Sequence, residues 1–594
     1  MGNKPVKDEN VPQDKPVKVS QPDFKVVAAI DIGTANTGFA FALVNDETQI
    51  RTGTFRNMLE QDRVPTMLLL DPNKEFHSLG DEALEKFTNI ESEKKQKKWF
   101  FFRLFKMELY KRDKLCVNTE ITDHSGKTMA AVEVFTKILH HLISLANKAV
   151  KEEQRVGMRI SEDDIQWVLT VPAIWSDKAR EFMIKAALDA GAHASKVRLV
   201  LEPEAASMYC RRQLMIATGV SSIEALPIGQ RYILADLGGG TADICSHEIL
   251  PEGKLRELYR ASGGEFGGNT VNMEFENYML KIVGASAWIE FKQQHPLCYF
   301  CTMKSFESEK KRFKKGKLPR SLTVEKALVT LAEKYNEELF EVSAGGPESS
   351  RGTTYDKDTG RLQMSEKLMT YFFKKSVDGI TSLLQEVIEK TKSVETLLLV
   401  GGYAESQYLR SELEQRLGPS IKIRLEQQPM LAVMKGAVEM GFKPMNIVDR
   451  VVRYTYGFPK TQVFQAGKHP LESRVDRNGQ RYCDDVFDVL VRAGSIVKCG
   501  DKFSLVSIEY LGSELQDQPV AFILYRSNKT EPKYCLEDGC EELAQITINP
   551  PPTAWPVRVK FTRTLEVMET RLRVKVFDNQ SNQEYETEAD FLEE

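Results

Sequence analysis

Apolar positions along this chain fall into two regimes. From residue 24 to 444, short runs of Val, Ile, Leu and Ala end in glycine and alternate with long stretches of helical period. Phe182 to Ala190 reads as one helix, and Met364 to Lys390 contains another. This part predicts an α/β fold. From 455 to 594 the pattern becomes alternating, in "VFDVLVRAGSIV", "FSLVSIEYL", "PVAFILYR" and "RLRVKVFD", with Gly, Pro and Asn turns between. That predicts an antiparallel β-sandwich. Residues 445–454, "MNIVDRVVRY", would join the two. Residues 1–23 are polar and rich in Lys and Pro, without an apolar signal core, and predict a disordered tail.

The first regime contains a repeat. "VVAAIDIGTANTGFAFALV" (Val26 to Val44) and "YILADLGGGTADICSHEIL" (Tyr232 to Leu250) follow one plan. Each is an apolar strand, then Asp, an apolar residue and Gly, a turn of small residues, and a second strand. Asp31 falls opposite Asp236. Two such hairpins predict a duplicated fold with a cleft between its halves. A third strand, in "LLLVGGYAES", ends at Gly401-Gly402 and runs into a helix.

Composition narrows the function classes. The 594 residues exceed one core and fit two or three domains at roughly 150 residues per unit. A hydrophobic share of 42% and a net charge of -4 suit a soluble protein and argue against a nucleic-acid partner. No apolar run has the length of a membrane span. The nine cysteines and the missing secretory signal predict reduced thiols and a cytoplasmic protein, with the nucleus as the alternative. Cys298 and Cys301 have the spacing of half a metal site, but no second pair completes it.

Glycines at a strand-to-strand turn let backbone approach a ligand, and their successive N–H groups can cradle phosphate oxygens. A carboxylate beside a polyphosphate is repelled unless a cation lies between them, and magnesium is the natural bridge. Asp31, Asp236 and Asp243 facing two glycine turns therefore predict a magnesium–nucleotide clamp. It is not a P-loop, because no GxxxxGK[ST] is present.

Longer motifs carry a family resemblance. "VLTVPAIWSDKAREFMIKAALDAGA", "LVLEPEAASMYCRRQ", "LPEGKLRELYRASGGEFGG", "FESEKKRF" and "LLLVGGYAES" resemble the 70-kDa heat-shock proteins of the actin-like ATPase superfamily, nearest their divergent 12A/12B branch. The resemblance covers most of residues 24–594 and implies ATP or ADP with Mg2+ in a two-lobed domain (24–444), followed by a β-domain. By position it puts Gly33 and Thr34 on the first phosphate turn and Asp31 on magnesium waters. Asp236, Gly238, Gly239, Gly240 and Thr241 fall on the second turn, with Asp236 also on magnesium waters and Asp243 near the attacking water. Glu202 matches an interlobe carboxylate, and Gly263 and Gly264 a pair near the phosphates. Glu307, Lys310 and Lys311 match adenosine-facing positions, and Gly401, Gly402 and Tyr403 the adenine-side turn. Pro172 and Arg180 match a relay between domains.

The departures bear on activity. Typical members carry a lysine after "GDAA" that positions the attacking water, whereas "LGDEALEKF" puts Leu84 there. Lys86 lies two residues on, about 200° around a helix. Ala35, Asn36 and Met430 also depart from the family pattern. The chain stops soon after its last strand, where typical members continue into a helical lid. The aromatic run "WFFFRLFKMEL" reads as a core helix. Together these predict an ATP-binding, chaperone-like protein with weak or absent hydrolysis, whose partners are the nucleotide and unfolded peptides. The alternative is a nucleotide-sensing scaffold for a signalling or stress protein.

Overall fold

The computed structural model describes residues 23–588 other than 57–59, 91–92, 111–117, 154–158, 176, 218–226, 252–253, 318–319, 336–352, 357, 444–446, 478, 499, 512–514 and 569–571. The predicted tail up to residue 22, the start of the joint and residues 589–594 lie outside the described residues.

The repeat in the sequence is a repeat in the fold. One sheet runs Val197–Leu201, Ile165–Val171, Val26–Ile32, Asn36–Leu43, Arg51–Thr52. The second runs Lys422–Leu425, Thr396–Val400, Arg231–Leu237, Ala242–Ile249, Leu255–Gly264. In both, a central hairpin is antiparallel and its first strand has two parallel neighbours on the other side. Helices keep the same order. Ala131–Glu152 and Glu366–Thr391 precede the first parallel neighbour in their halves. Asp177–Asp189 and Gln407–Leu417 link the two parallel strands. Ser365 caps its helix, its hydroxyl accepting the Leu368 N–H at 3.1 Å.

The central strands are buried on both faces, which is why their sequence is unbroken apolar rather than alternating. Val26, Ala28 and Ile30 point into the core of the first half, while Val27 and Ala29 point into a shared middle core. Ile233, Ala235 and Leu237 belong to the core of the second half, and Tyr232 and Leu234 to the middle one. Two helices fill that middle layer, Glu202–Ala217 and Ala432–Phe442. They cross at Gly436, where any β-carbon would overlap the backbone carbonyl of Ala205.

The aromatic run is not the expected helix. Phe100–Arg103 is a strand paired with Met67–Leu70, and a short helix comes after it at Lys106–Tyr110. Alternation explains it: Phe101 packs into one core, stacked on Phe87 at 4.6 Å, and Phe102 into the other. A strand with both faces covered buries Phe101 and Phe102 alike, so the run carries no period-two signal.

Beyond the halves, two antiparallel sheets share one core that includes Phe458, Phe522, Trp555 and Phe561. The predicted joint is itself a strand. Ile447–Val451 pairs in parallel with Leu255–Gly264 and antiparallel with Ile496–Lys498 from the C-terminal part. It stitches the second sheet to the C-terminal part of the chain.

Candidate functional site

Asp31 and Asp236 occupy the same place in their sheets, near the end of the first hairpin strand. Asp31 is opposite Gly38 and Asp236 opposite Asp243. The turns beyond them close alike, Gly33 N–H donating to the Asn36 carbonyl and Gly238 N–H to that of Thr241, both at 3.0 Å. The two turns meet across the halves. A β-carbon on Gly239 would stand 2.5 Å from that of Ala35, and one on Gly240 would collide with Thr34. The helix Gly268–Val283 begins on the second turn, where Gly268 and Asn269 donate to the carbonyls of Gly238 and Gly239. Its positive end adds to the site's preference for anions.

These turns line a cavity of about 370 Å³. Also on its wall are Asp31, Thr34, Glu202, Asp236 and Thr241, and farther round Glu307, Lys310, Lys311, Gly401, Gly402 and Tyr403. Predicted positions from five separate stretches of chain thus converge on one wall. Asp243 stands opposite Asp236 in the hairpin, set back from the lining residues. Gly401 requires its glycine: φ is 85°, and a β-carbon would stand 2.5 Å from Asp236 Oδ1. Lys310, buried, binds Glu307 at 2.5 Å, the Gly268 carbonyl at 3.0 Å and Asn272 Oδ1 at 3.0 Å.

Four other predicted positions sit away from the cavity. Gly263 and Gly264 are inside the strand paired with Asp243 and Ala242, and are not among the residues lining the cavity. A side chain on Gly263 would press on Ile174, and one on Gly264 on Phe266, so their smallness serves packing. The glycine of this segment that reaches the cavity is Gly268. Pro172 comes directly after the strand Ile165–Val171, next to Ala173, whose N–H donates to Asp243 Oδ1 at 2.8 Å. Arg180 is half-buried in the helix Asp177–Asp189. Pro172 and Arg180 do not line the cavity.

Beyond Lys310 and Lys311, sequence reasoning misses three cations on the cavity wall, Arg63, Arg103 and Lys106. Arg63 Nη2 contacts Asp31 Oδ2 at 2.7 Å and the Asn36 carbonyl at 2.6 Å, while Nη1 donates to the Met430 carbonyl at 2.8 Å. Lys106 Nζ contacts Glu202 Oε1 at 2.5 Å and lies 5.3 Å from the centre of the Trp175 ring. Arg103 lines the cavity too, held over the rings of Phe300 and Tyr299 at 5.2 and 5.9 Å. None comes from a glycine turn or a motif with ligand spacing, so only the fold reveals them. For Arg103 and Lys106 the lone local signal is a basic residue inside an aromatic run.

The cations divide the four acids. Burial works against a charge on Asp31, but Arg63, Lys106 and the Thr170 hydroxyl outweigh it and hold its carboxyl below the usual range. Burial raises Glu202 to about 7 despite Lys106, with Asp31 and Asp243 adding to the rise. Asp236 is pushed well up by burial and by the crowding of Glu202, Asp243 and Asp31. Burial also raises Asp243, against the Thr241 hydroxyl and backbone N–H groups. Among the described residues, Asp243 Oδ2 is buried without a hydrogen-bond partner. Asp31 and Glu202 are thus ion-paired, and Asp236 and Asp243 are the acids a further cation would relieve. No three His, Cys, Asp or Glu side chains among the described residues converge to hold a bare metal ion. A divalent ion would need water or phosphate oxygens to complete its shell.

Lys86 does not replace the absent lysine. Its ammonium lies 5.8 Å from the Trp99 ring on an exposed helix face, and Leu84 packs against the core. Lys86→Ala is expected to shift nucleotide affinity by no more than about twofold in calorimetry, the ordinary range for a surface change.

Size alone does not select this cavity. Hollows of about 640 Å³ beside Phe39 and His141, and about 740 Å³ beside Pro550–Pro552, are larger. Neither brings carboxylates and glycine turns together.

The chain is similar to known proteins over most of its length. The family model described as Hsp70 protein matches residues 27–449. Heat shock 70 kDa protein 12A of Homo sapiens is 28% identical, over 100% of this chain and 95% of that protein. Heat shock 70 kDa protein 12B of Homo sapiens is 29% identical, over 96% of this chain and 92% of that protein. Chaperone protein DnaK of Elusimicrobium minutum is 25% identical, over 48% of this chain and 40% of its own length.

Proposed function

This chain belongs to the Hsp70 family, and we propose on that footing that its central cavity is a clamp for ATP or ADP whose occupancy sets the state of the C-terminal sheets. The observation that carries the reading is two copies of one aspartate hairpin meeting turn against turn, around the unneutralised pair Asp236 and Asp243. The turns at Gly33–Thr34 and Gly238–Thr241 would take phosphate oxygens. Glu307, Lys310 and Lys311, with Gly401, Gly402 and Tyr403, would hold the nucleoside. Magnesium, when bound, would neutralise phosphate charge. Asp31 and Asp236 were the expected holders of its waters. With Arg63 on Asp31, that share falls mainly to Asp236, which lines the cavity, with Asp243 set behind it.

Domain 24–444 would be the two-lobed clamp and 455–594 a β-sandwich for substrate or partner. A contact between them supports a route. Glu202 faces the cavity, and two residues along the same helical turn Glu204 holds Arg450 at 2.6 and 3.2 Å. Arg450 belongs to the strand that pairs with Ile496–Lys498. Displacement of that turn would reach the C-terminal part directly, alongside the relay expected of Pro172 and Arg180.

We assign the chain a chaperone-like role with weak or absent hydrolysis, in the cytoplasm. Capture of an unfolded peptide, measured by fluorescence anisotropy with ATP, with ADP and without nucleotide, tests it. Affinity that changes with nucleotide supports the chaperone reading. Absence of peptide binding, with ATP still bound, contradicts it and favours the nucleotide-sensing scaffold.

A further inference from the structure

We infer that Lys106 reads the terminal phosphate of a bound nucleoside triphosphate, exchanging its bond to Glu202 for one to that phosphate, so that the cleft prefers triphosphate to diphosphate. The inference rests on the nucleotide-clamp reading and names the group that distinguishes its two ligands.

Lys106 is 3% exposed, yet its side chain reaches the cavity wall. A buried ammonium needs anionic partners. Glu202 at 2.5 Å engages one of its donors, and its charge also acts on Asp31 and Asp243. That group of acids is separate from the one around Lys310, which is tied to Glu307, Asn272 and Gly268. Lys106 therefore serves the phosphate end. Glu202 is a weak holder, because burial disfavours its charge and raises its carboxyl to about 7. A phosphate group with its own negative charge and several acceptor oxygens competes well against it.

The segment that carries Lys106 is anchored for the task. Leu104 has φ of 55°, in the left-handed region that a branched residue adopts only when its surroundings force it. The force comes from Phe102 and Phe105, exposed by 0 and 1% on either side. The helix so aimed rests on the second glycine turn, where a β-carbon on Gly240 would stand 2.5 Å from Met107 Sδ. Lys106 is thus fixed relative to the backbone that would hold the phosphates.

Calorimetry with magnesium and either ADP or a non-hydrolysable ATP analogue tests this without any turnover. Wild type is expected to bind the triphosphate about tenfold more tightly or better, as one charge-assisted hydrogen bond allows. Lys106→Met is expected to bring that ratio close to one while ADP affinity stays within about threefold. Glu202→Gln, which frees the ammonium with little change of shape, is expected to widen the ratio, and it keeps the test alive if Lys106→Met does not fold. Equal affinities in wild type, a ratio unchanged by Lys106→Met, or a ratio narrowed by Glu202→Gln overturns the inference while nucleotide binding stands. If wild type binds neither nucleotide, the clamp reading itself fails.

Discussion

Gly436→Ala is expected to destabilise the N-terminal α/β part by about 3 kcal/mol, the upper range for overpacking a close contact. The change would ordinarily help, since alanine favours a helix interior over glycine by ~1 kcal/mol. Here the added carbon would overlap the Ala205 carbonyl oxygen and carbon. Both belong to backbone, and Ala205 sits three residues after Glu202, so nothing flexible can yield. Either the two helices separate or the sheets on both sides shift. Because these helices fill the layer between the halves, separation would also widen the cleft. Urea unfolding monitored by tryptophan fluorescence measures the loss. Stability equal to or above wild type would mean that the helices do not cross at this distance.

The second large effect belongs to Arg63. Arg63→Gln would leave Asp31 buried with its charge opposed chiefly by the Thr170 hydroxyl and the field of Lys106. Removing one partner of a buried pair typically costs about 3–5 kcal/mol. The loss depends on pH with a definite sign. In wild type the Asp31 carboxyl is held below its ordinary value, so its contribution is full above the unfolded value, near ~3.9. That contribution fades as pH falls through the lower folded value. Without Arg63 the folded carboxyl rises, and the variant must bury a charge at neutral pH or protonate. Urea midpoints of the two proteins should therefore lie far apart at neutral pH and draw together toward about pH 4 and below. A constant difference across that range would place the effect in packing rather than in the ion pair.

Most of the frame of this molecule is visible in its sequence because it is locally encoded. An apolar run, Asp, Gly and a second run is enough to mark each central hairpin, and the two copies announce the duplication. The alternating strands after residue 455 are equally plain. Other features depend on what lies across the fold. Phe100–Arg103 is a strand because both its faces are covered, and coverage erases the alternation that would identify it. Ile447–Val451 becomes part of a sheet only when Leu255–Gly264 and Ile496–Lys498 come alongside. Gly263 and Gly264 look like phosphate glycines in the linear pattern, but their strand puts them against Ile174 and Phe266.

The candidate site divides the same way. Its acids and glycines sit in short motifs, so they can be named from the chain alone. The cations beside the acids do not. Arg63 and Lys106 meet Asp31 and Glu202 across 32 and 96 positions, from segments with no ligand spacing. The position where the family keeps its lysine holds Leu84, which faces the core. The positive charge beside the acids comes instead from Arg63 and Lys106, which no pattern along the chain reports.

The most direct test of the clamp is hydrogen exchange at backbone amides with and without magnesium and ADP. Residues 33–36, 238–241 and 401–403 should slow together on saturation, by about tenfold or more, because phosphate and nucleoside would cover these three turns at once. If saturating nucleotide leaves all three unchanged, or slows only the C-terminal sheets, the cavity between the halves is not where this protein holds a nucleotide.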